Sequence, residues 1–206
     1  MPKQVDHQER RETIARALWR VVEQRGATQL TLREVAGEAG ISLGQLQHYF
    51  RSRAELLGFA MDLAGERSGR RVARALAELG ERPHPRAVLR AMLVELLPLH
   101  PDSRVTSRMS AAYVLEALHD EEVHARVRGG LVRGREAVER VVRQAVADGL
   151  VPADRDPLVE TDLLLALTGF TTLLELDVVE PDAVLTAVDR HLDRLFAGAE
   201  GGSAGS

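Results

Sequence analysis

The chain has 206 residues, 45% of them hydrophobic, a net charge of −4 and no cysteine. That is apolar material enough for one large core or two modest ones, and it excludes disulfides, thiolate metal centres and cysteine nucleophiles. The charge is uneven, because residues 1–60 hold 9 of the 27 Lys+Arg and 7 of the 31 Asp+Glu, so a slightly basic end precedes an acidic body; that asymmetry suits a small polyanion-binding module joined to a larger part that avoids polyanions.

Alternating apolar and polar runs are absent and aromatic residues make up only 3% of the chain, so the predicted fold is all-α. Asp6, Glu9, Arg10, Arg11 and Glu12 precede any apolar run, which leaves no signal-peptide core and points to the cytoplasm. From Gln8 to Arg25, Ile14, Leu18, Val21 and Val22 form one stripe of a first helix, and Gly26 supplies its stop.

Three helix starts follow, each a hydroxyl residue with Glu or Gln three positions later: Thr31 with Glu34, Ser42 with Gln45, and Ser52 with Glu55. In such a box the hydroxyl accepts from an orphan amide of the first turn, and the longer side chain reaches back to the cap's own amide. Two short helices and the start of a longer one are therefore expected. Between the short ones, Gly40 can take positive φ and Ala36 is small enough for close approach. This is a helix-turn-helix, with Leu32, Val35, Ile41, Leu46 and Phe50 turned inward and Leu43, Gly44, Gln45, Gln47 and His48 on the exposed side.

Residues Thr31 to Leu57, TLREVAGEAGISLGQLQHYFRSRAELL, together with the helix from Arg11 to Gly26, resemble the signature segment of the TetR family of bacterial transcriptional regulators. Within that family, Gln47-His48-Tyr49-Phe50 is similar to the betaine-pathway repressor branch. Gln47 stands where many members have tyrosine, and Arg53 where lysine is commoner. The resemblance implies an N-terminal DNA-binding domain at 1–52, a helical effector-binding and dimerisation domain at 53–200, and a flexible tail at 201–206. It also implies a non-enzymatic, ligand-responsive repressor that binds a palindromic double-stranded DNA operator as a homodimer and is released by a small-molecule effector. No cofactor is expected.

In the major groove, the paired donor and acceptor of a glutamine amide match the edge of adenine, so Gln45 and Gln47 are the first candidates for base contact. Thr31, Tyr49, Arg51 and Arg53 lie at helix ends where they can hold phosphates, as the matching family positions do. Arg33, Ser42, Leu43, Gly44 and His48 complete the expected DNA-binding set.

A longer helix is predicted from Arg53 towards Leu79, then a break at Pro83 and Pro85, an apolar segment from Val88 to Leu97, a helix near Ser103 to Leu118, and a long one from about Asp120 that stops at Gly149. His119 to His124 mixes histidines with carboxylates, but acidic residues in a first helical turn suit the helix dipole and no His pair has zinc-like spacing, so no metal is expected. Asp156-Pro157 caps a helix that is apolar nearly all round to Leu176. Its richest stretch, Leu163 to Leu174, is shorter than the ~20 residues of a membrane span, so no membrane partner is expected.

Pro181 opens a last helix in which Leu185, Val188, Leu192 and Leu195 recur as a bundle seam. With Leu163, Leu167 and Leu174 they form the expected dimer interface. The expected effector pocket draws on Met61, Met92, Leu96, Arg108, Met109, Tyr113, Glu116 and Phe170. The rival readings are a helical enzyme, for which neither a phosphate-cradling loop nor a nucleophile-base pattern exists, and a ligand-independent architectural DNA binder, for which an acidic body of this size is superfluous.

Overall fold

A computed structural model describes residues 2–27 and 30–197, with side chains from His7 onward. Among the described residues every regular element is helical: α1 (Pro2–Arg25), α2 (Leu32–Glu38), α3 (Leu43–Tyr49), α4 (Arg53–Ala77), α5 (Pro85–Leu96), α6 (Pro101–Ala117), α7 (Glu121–Ala147), α8 (Pro157–Ala166), a 3₁₀ turn (Leu167–Gly169), α9 (Phe170–Glu175) and α10 (Pro181–Phe196). The expected tail at 201–206 lies outside the described residues.

The predicted stops hold, with Gly26, Gly40 and Gly149 at φ of 78°, 68° and 71°. Two differences have local causes. Pro85, read as a breaker, is the first residue of α5, where a missing N–H costs nothing and His84 caps the next amide. At the third box Ser52 accepts from the Glu55 amide, but the Glu55 carboxylate takes the Arg51 amide at 2.8 Å instead of that of Ser52.

Packing divides the chain into two compact units, Met1–Arg67 with Arg104–Arg128, and Ser68–Ser103 with Gly129–Ser206. The expected boundary at residue 53 separates sequence motifs, whereas packing assigns the first part of α4, most of α6 and the start of α7 to the unit that holds the helix-turn-helix. The reason is shared burial: Ile14, Leu18, Val35, Leu46 and Phe50 pack in one core with Leu56, Leu57, Met109, Ala112, Tyr113 and Val123. Cations tie α1 into this unit, since Arg11 lies 4.7 Å from the Phe50 ring and 4.5 Å from that of Phe59, and Arg67 lies 3.9 Å over Trp19.

The second unit has its own core. Val184, Val188, Leu192 and Leu195 of α10 are buried in it with Leu89 and Leu93 of α5, Leu97, and Leu174 of α9. Ion pairs border that packing: Arg90 holds Asp189 with both arms, at 2.8 and 3.2 Å, and Arg86 bonds Asp193 at 2.8 Å. Leu174, Val188, Leu192 and Leu195 are therefore covered by their own chain, which corrects the expectation that they face a second copy; Leu185 and Leu167 are half-buried and Leu163 is exposed.

Pro157–Glu175 is a helical run of 19 residues with mean hydropathy 1.3, of which 22% is buried. By length and composition alone it is long and apolar enough to cross a membrane, which the shorter stretch counted from the sequence was not. Leu158, Val159 and Leu163 on it, and Leu176 and Val178 just after it, are exposed.

Candidate nucleic-acid interface

The helix-turn-helix rests on two reciprocal caps. Thr31 Oγ1 accepts from the Glu34 amide and donates to the Glu34 carboxylate at 2.8 Å, and the Thr31 amide donates to the same carboxylate at 3.0 Å. The hydrogen bonds from Thr31 hold the Glu34 carboxyl below its usual pKa, with a further pull from Arg25. In α3, Ser42 Oγ accepts from the Gln45 amide and Gln45 Oε1 accepts from the Ser42 amide at 2.9 Å. With Gly40 in the left-handed region, the Ile41 amide returns to the Ala36 carbonyl at 3.0 Å, closing the turn.

This geometry separates the two glutamines. Gln45 has committed its carbonyl oxygen to the cap and keeps only its NH₂ to donate outward, whereas a bidentate grip on adenine needs both groups. Gln47 is exposed and has no hydrogen bond among the described residues, so both ends of its amide are available. Leu46 is buried between them, so the two glutamines stand on opposite flanks of the exposed side, since residues two apart on a helix do not share a face. Gly44 is exposed, and a Cβ there would meet nothing within 4 Å, so another molecule's backbone or base can approach the helix closely. Leu43 is half-buried, and Ser42 and His48 are exposed.

The cations differ in the same way. Arg33 and Arg51 are exposed, and their guanidinium groups make no ion pair among the described residues. Arg53 is engaged inside the unit, bonding the Glu116 carboxylate and donating to the Ala27 carbonyl at 2.9 Å, while burial pulls its pKa below the ordinary guanidinium value. The expected phosphate role of Arg53 therefore competes with a structural one. Tyr49 is half-buried, with its ring 4.9 Å from that of His7. His7 and Arg10 are the neighbours that the sequence argument missed. The available signal was that both lie upstream of the first apolar stripe, on the same helix that packs against the helix-turn-helix.

The expected effector residues fall in both units. Met61, Arg108, Met109, Tyr113 and Glu116 belong to the first, and Met92, Leu96 and Phe170 to the second. Met109 and Tyr113 are buried with Met61 packed against them, Glu116 is spent on Arg53, and Arg108 lines a surface cleft with Ala111, Ala112 and Leu115. Met92 and Phe170 pack against the second core, and Leu96 is exposed. Among the described residues no group of three His, Asp or Glu is placed to hold a metal ion.

Residues 14–58 match the family described as bacterial regulatory proteins, tetR family, and residues 85–197 match the C-terminal part of BetI-type transcriptional repressors. The chain is 29% identical over 199 residues to the HTH-type transcriptional regulator PksA of Bacillus subtilis (strain 168), covering 95% of this chain and 94% of that one. A TetR-family transcriptional regulator from Rhodococcus sp. superposes with a TM-score of 0.76 at 22% identity, over 92% of this chain and 100% of that one. A transcriptional regulator from Saccharomonospora viridis in complex with choline gives 0.72 at 20% identity, over 91% and 95%.

Proposed function

Because the chain belongs to the TetR family of bacterial transcriptional regulators, we propose that it is a cytoplasmic repressor that binds a palindromic operator as a homodimer and is released by a small-molecule effector. TetR-family proteins are DNA-binding transcription factors and not enzymes. The observation that carries the proposal is the capped α2-turn-α3 unit, which presents Gln47 with both amide groups free and leaves Arg33 and Arg51 unpaired among the described residues on the same short segment. Gln47 reads a base, Gln45 donates to a base or phosphate through its NH₂, and Arg33, Ser42, Tyr49 and Arg51 set register on the backbone, whereas the hydroxyl and amide of Thr31 are both given to Glu34. His48 covers the edge of the same surface.

Dimerisation gives two such heads about one helical turn apart, as a palindrome requires. The supporting feature is the Pro157–Glu175 run, whose apolar side chains stay largely uncovered by the chain itself. Leu158, Val159 and Leu163 there, with Leu176 and Val178, form an apolar surface of the kind that marks an interface. A second copy would cover that surface. The effector would bind within the helical body and bias it towards a state in which the heads no longer match the groove spacing.

The test is selection of genomic duplex fragments by the purified protein, followed by competition against random duplex and release by a compound screen that includes choline. One enriched palindrome is expected, and Gln47→Ala should reorder the preference among its variants. Equal binding to selected and random duplex by a folded protein overturns the proposal.

A further inference from the structure

The DNA-facing surface described above ends at α3, but the chain places one more cation beside it. A cleft of about 500 Å³ is lined by Arg10 of α1 together with Ile41, Ser42, Gly44, Gln45, His48 and Tyr49. Among the described residues no carboxylate lines it. The start of α1 is held there by aromatic packing, with the His7 ring 4.9 Å from Tyr49 and edge-on to His48 at 6.5 Å.

The arginines of α1 sort by face. Arg11 pairs with Glu55 at 3.8 Å, Arg16 with Glu12 at 3.8 Å, Arg20 with Glu38 at 2.5 Å and Arg25 with Glu34 at 3.4 Å. Arg10 is exposed and makes neither an ion pair nor a hydrogen bond among the described residues. The single α1 arginine left without a carboxylate among those residues is thus the one at the reading helix. A neighbouring cleft on the other side of His48 and Tyr49 is of mixed charge, lined by Glu55, Asp120 and Glu122 together with Arg51 and Arg126.

We propose that Arg10 is a DNA-backbone contact: a phosphate of the strand running past α3 enters the cleft between α1 and α3 and is held by the Arg10 guanidinium, while His7, packed at a tilt against Tyr49, positions this end of α1. The proposal rests on the DNA-binding function proposed above and extends the footprint of each head to α1. The contact adds affinity and register without sequence choice, because every nucleotide offers the same phosphate.

The experiment uses the full chain and a duplex selected by the wild-type protein, with affinity measured by fluorescence anisotropy over a series of KCl concentrations. Arg10→Ala is expected to reduce the magnitude of the log–log salt slope by about 0.9 per head, the increment of one lost phosphate contact, and to leave the ranking of operator variants unchanged. Arg10→Lys should keep the slope, and Arg16→Ala, on another part of the same helix, should not alter it. Arg10→Gln retains most of the side-chain stem and serves if the alanine variant loses helix content. A wild-type slope in both folded Arg10→Ala and Arg10→Gln, or a changed ranking of variants, overturns the proposal while leaving DNA binding itself intact. Failure of the wild-type protein to prefer any duplex would remove the functional premise as well.

Discussion

The contact between Gly58 and Tyr113 allows a prediction whose sign depends on one oxygen atom. Gly58 is buried in α4, and a Cβ added there would lie 2.7 Å from Tyr113 Oη, 3.0 Å from an Arg126 nitrogen and 3.3 Å from Tyr113 Cζ. Ordinary contacts stand at about 3.5–4.0 Å, so something has to retreat. Arg126 is half exposed and can swing away, but Tyr113 is only 6% exposed and is packed in the first core. Overpacking of that kind costs roughly 1–3 kcal/mol, against a helix-propensity gain of about 0.8–1 kcal/mol for Ala over Gly. Gly58→Ala should therefore destabilise by roughly 0–2 kcal/mol.

Tyr113 Oη is buried with no hydrogen bond of good geometry, only the half-exposed Arg126 guanidinium being near it, so Tyr113→Phe should be close to neutral. In that background the closest clash is gone, and Gly58→Ala should become neutral or stabilising by up to about 1 kcal/mol. Urea denaturation of the four proteins at one fixed concentration gives the coupling, expected at about 1–3 kcal/mol. A coupling near zero refutes the argument, because it would mean that the tyrosine oxygen does not limit the approach of α4.

Arg51→Ala should lower the salt slope of DNA binding by about 0.9 per head, whereas Arg53→Ala, whose guanidinium is held by Glu116 and Ala27, should lower the thermal midpoint and leave the slope unchanged; the opposite pattern would return the phosphate role to Arg53. Hydrogen bonding from Arg90 holds Asp189 below the ordinary carboxylate pKa, with Arg86 adding to the effect. Its contribution to stability is present above the unfolded value of about 4 and is lost as pH falls through the lower folded value. Asp189→Asn should accordingly cost on the order of 1 kcal/mol or less at neutral pH, since the groups are about a third exposed, and the two proteins should converge in stability in acid. Leu163→Arg should convert the proposed dimer to monomer in sedimentation velocity without loss of helix, and an unchanged sedimentation coefficient would move the interface elsewhere.

Features set by neighbours a few residues apart were legible in the sequence. The Thr31 and Ser42 boxes, the turn at Gly40 and the stop at Gly149 depend on local donors, acceptors and φ, and they stand where hydroxyl, amide and glycine spacing place them. Apolar spacing likewise marks α10 as having a seam. It does not say who covers it, and α5 covers Val188, Leu192 and Leu195 from within the same chain. The same limit applies to charge: Arg53 looked like a phosphate ligand because its partner Glu116 lies 63 residues away in sequence. The sequence offers Gln45 both as a capping residue and as a base contact, two roles that draw on one side chain, and the geometry decides between them by placing its oxygen on the Ser42 amide.

Trp19 is the only tryptophan in the chain, and a guanidinium from α4 lies against its ring. The protein is thereby supplied with an optical reporter at one defined point, and the emission of that indole, quenched or shifted by a cation a few ångströms away, registers any sliding of α4 past α1. Titrating compounds while watching this single fluorophore would reveal whether the arm carrying Arg53 has moved, before any operator is known and without a label.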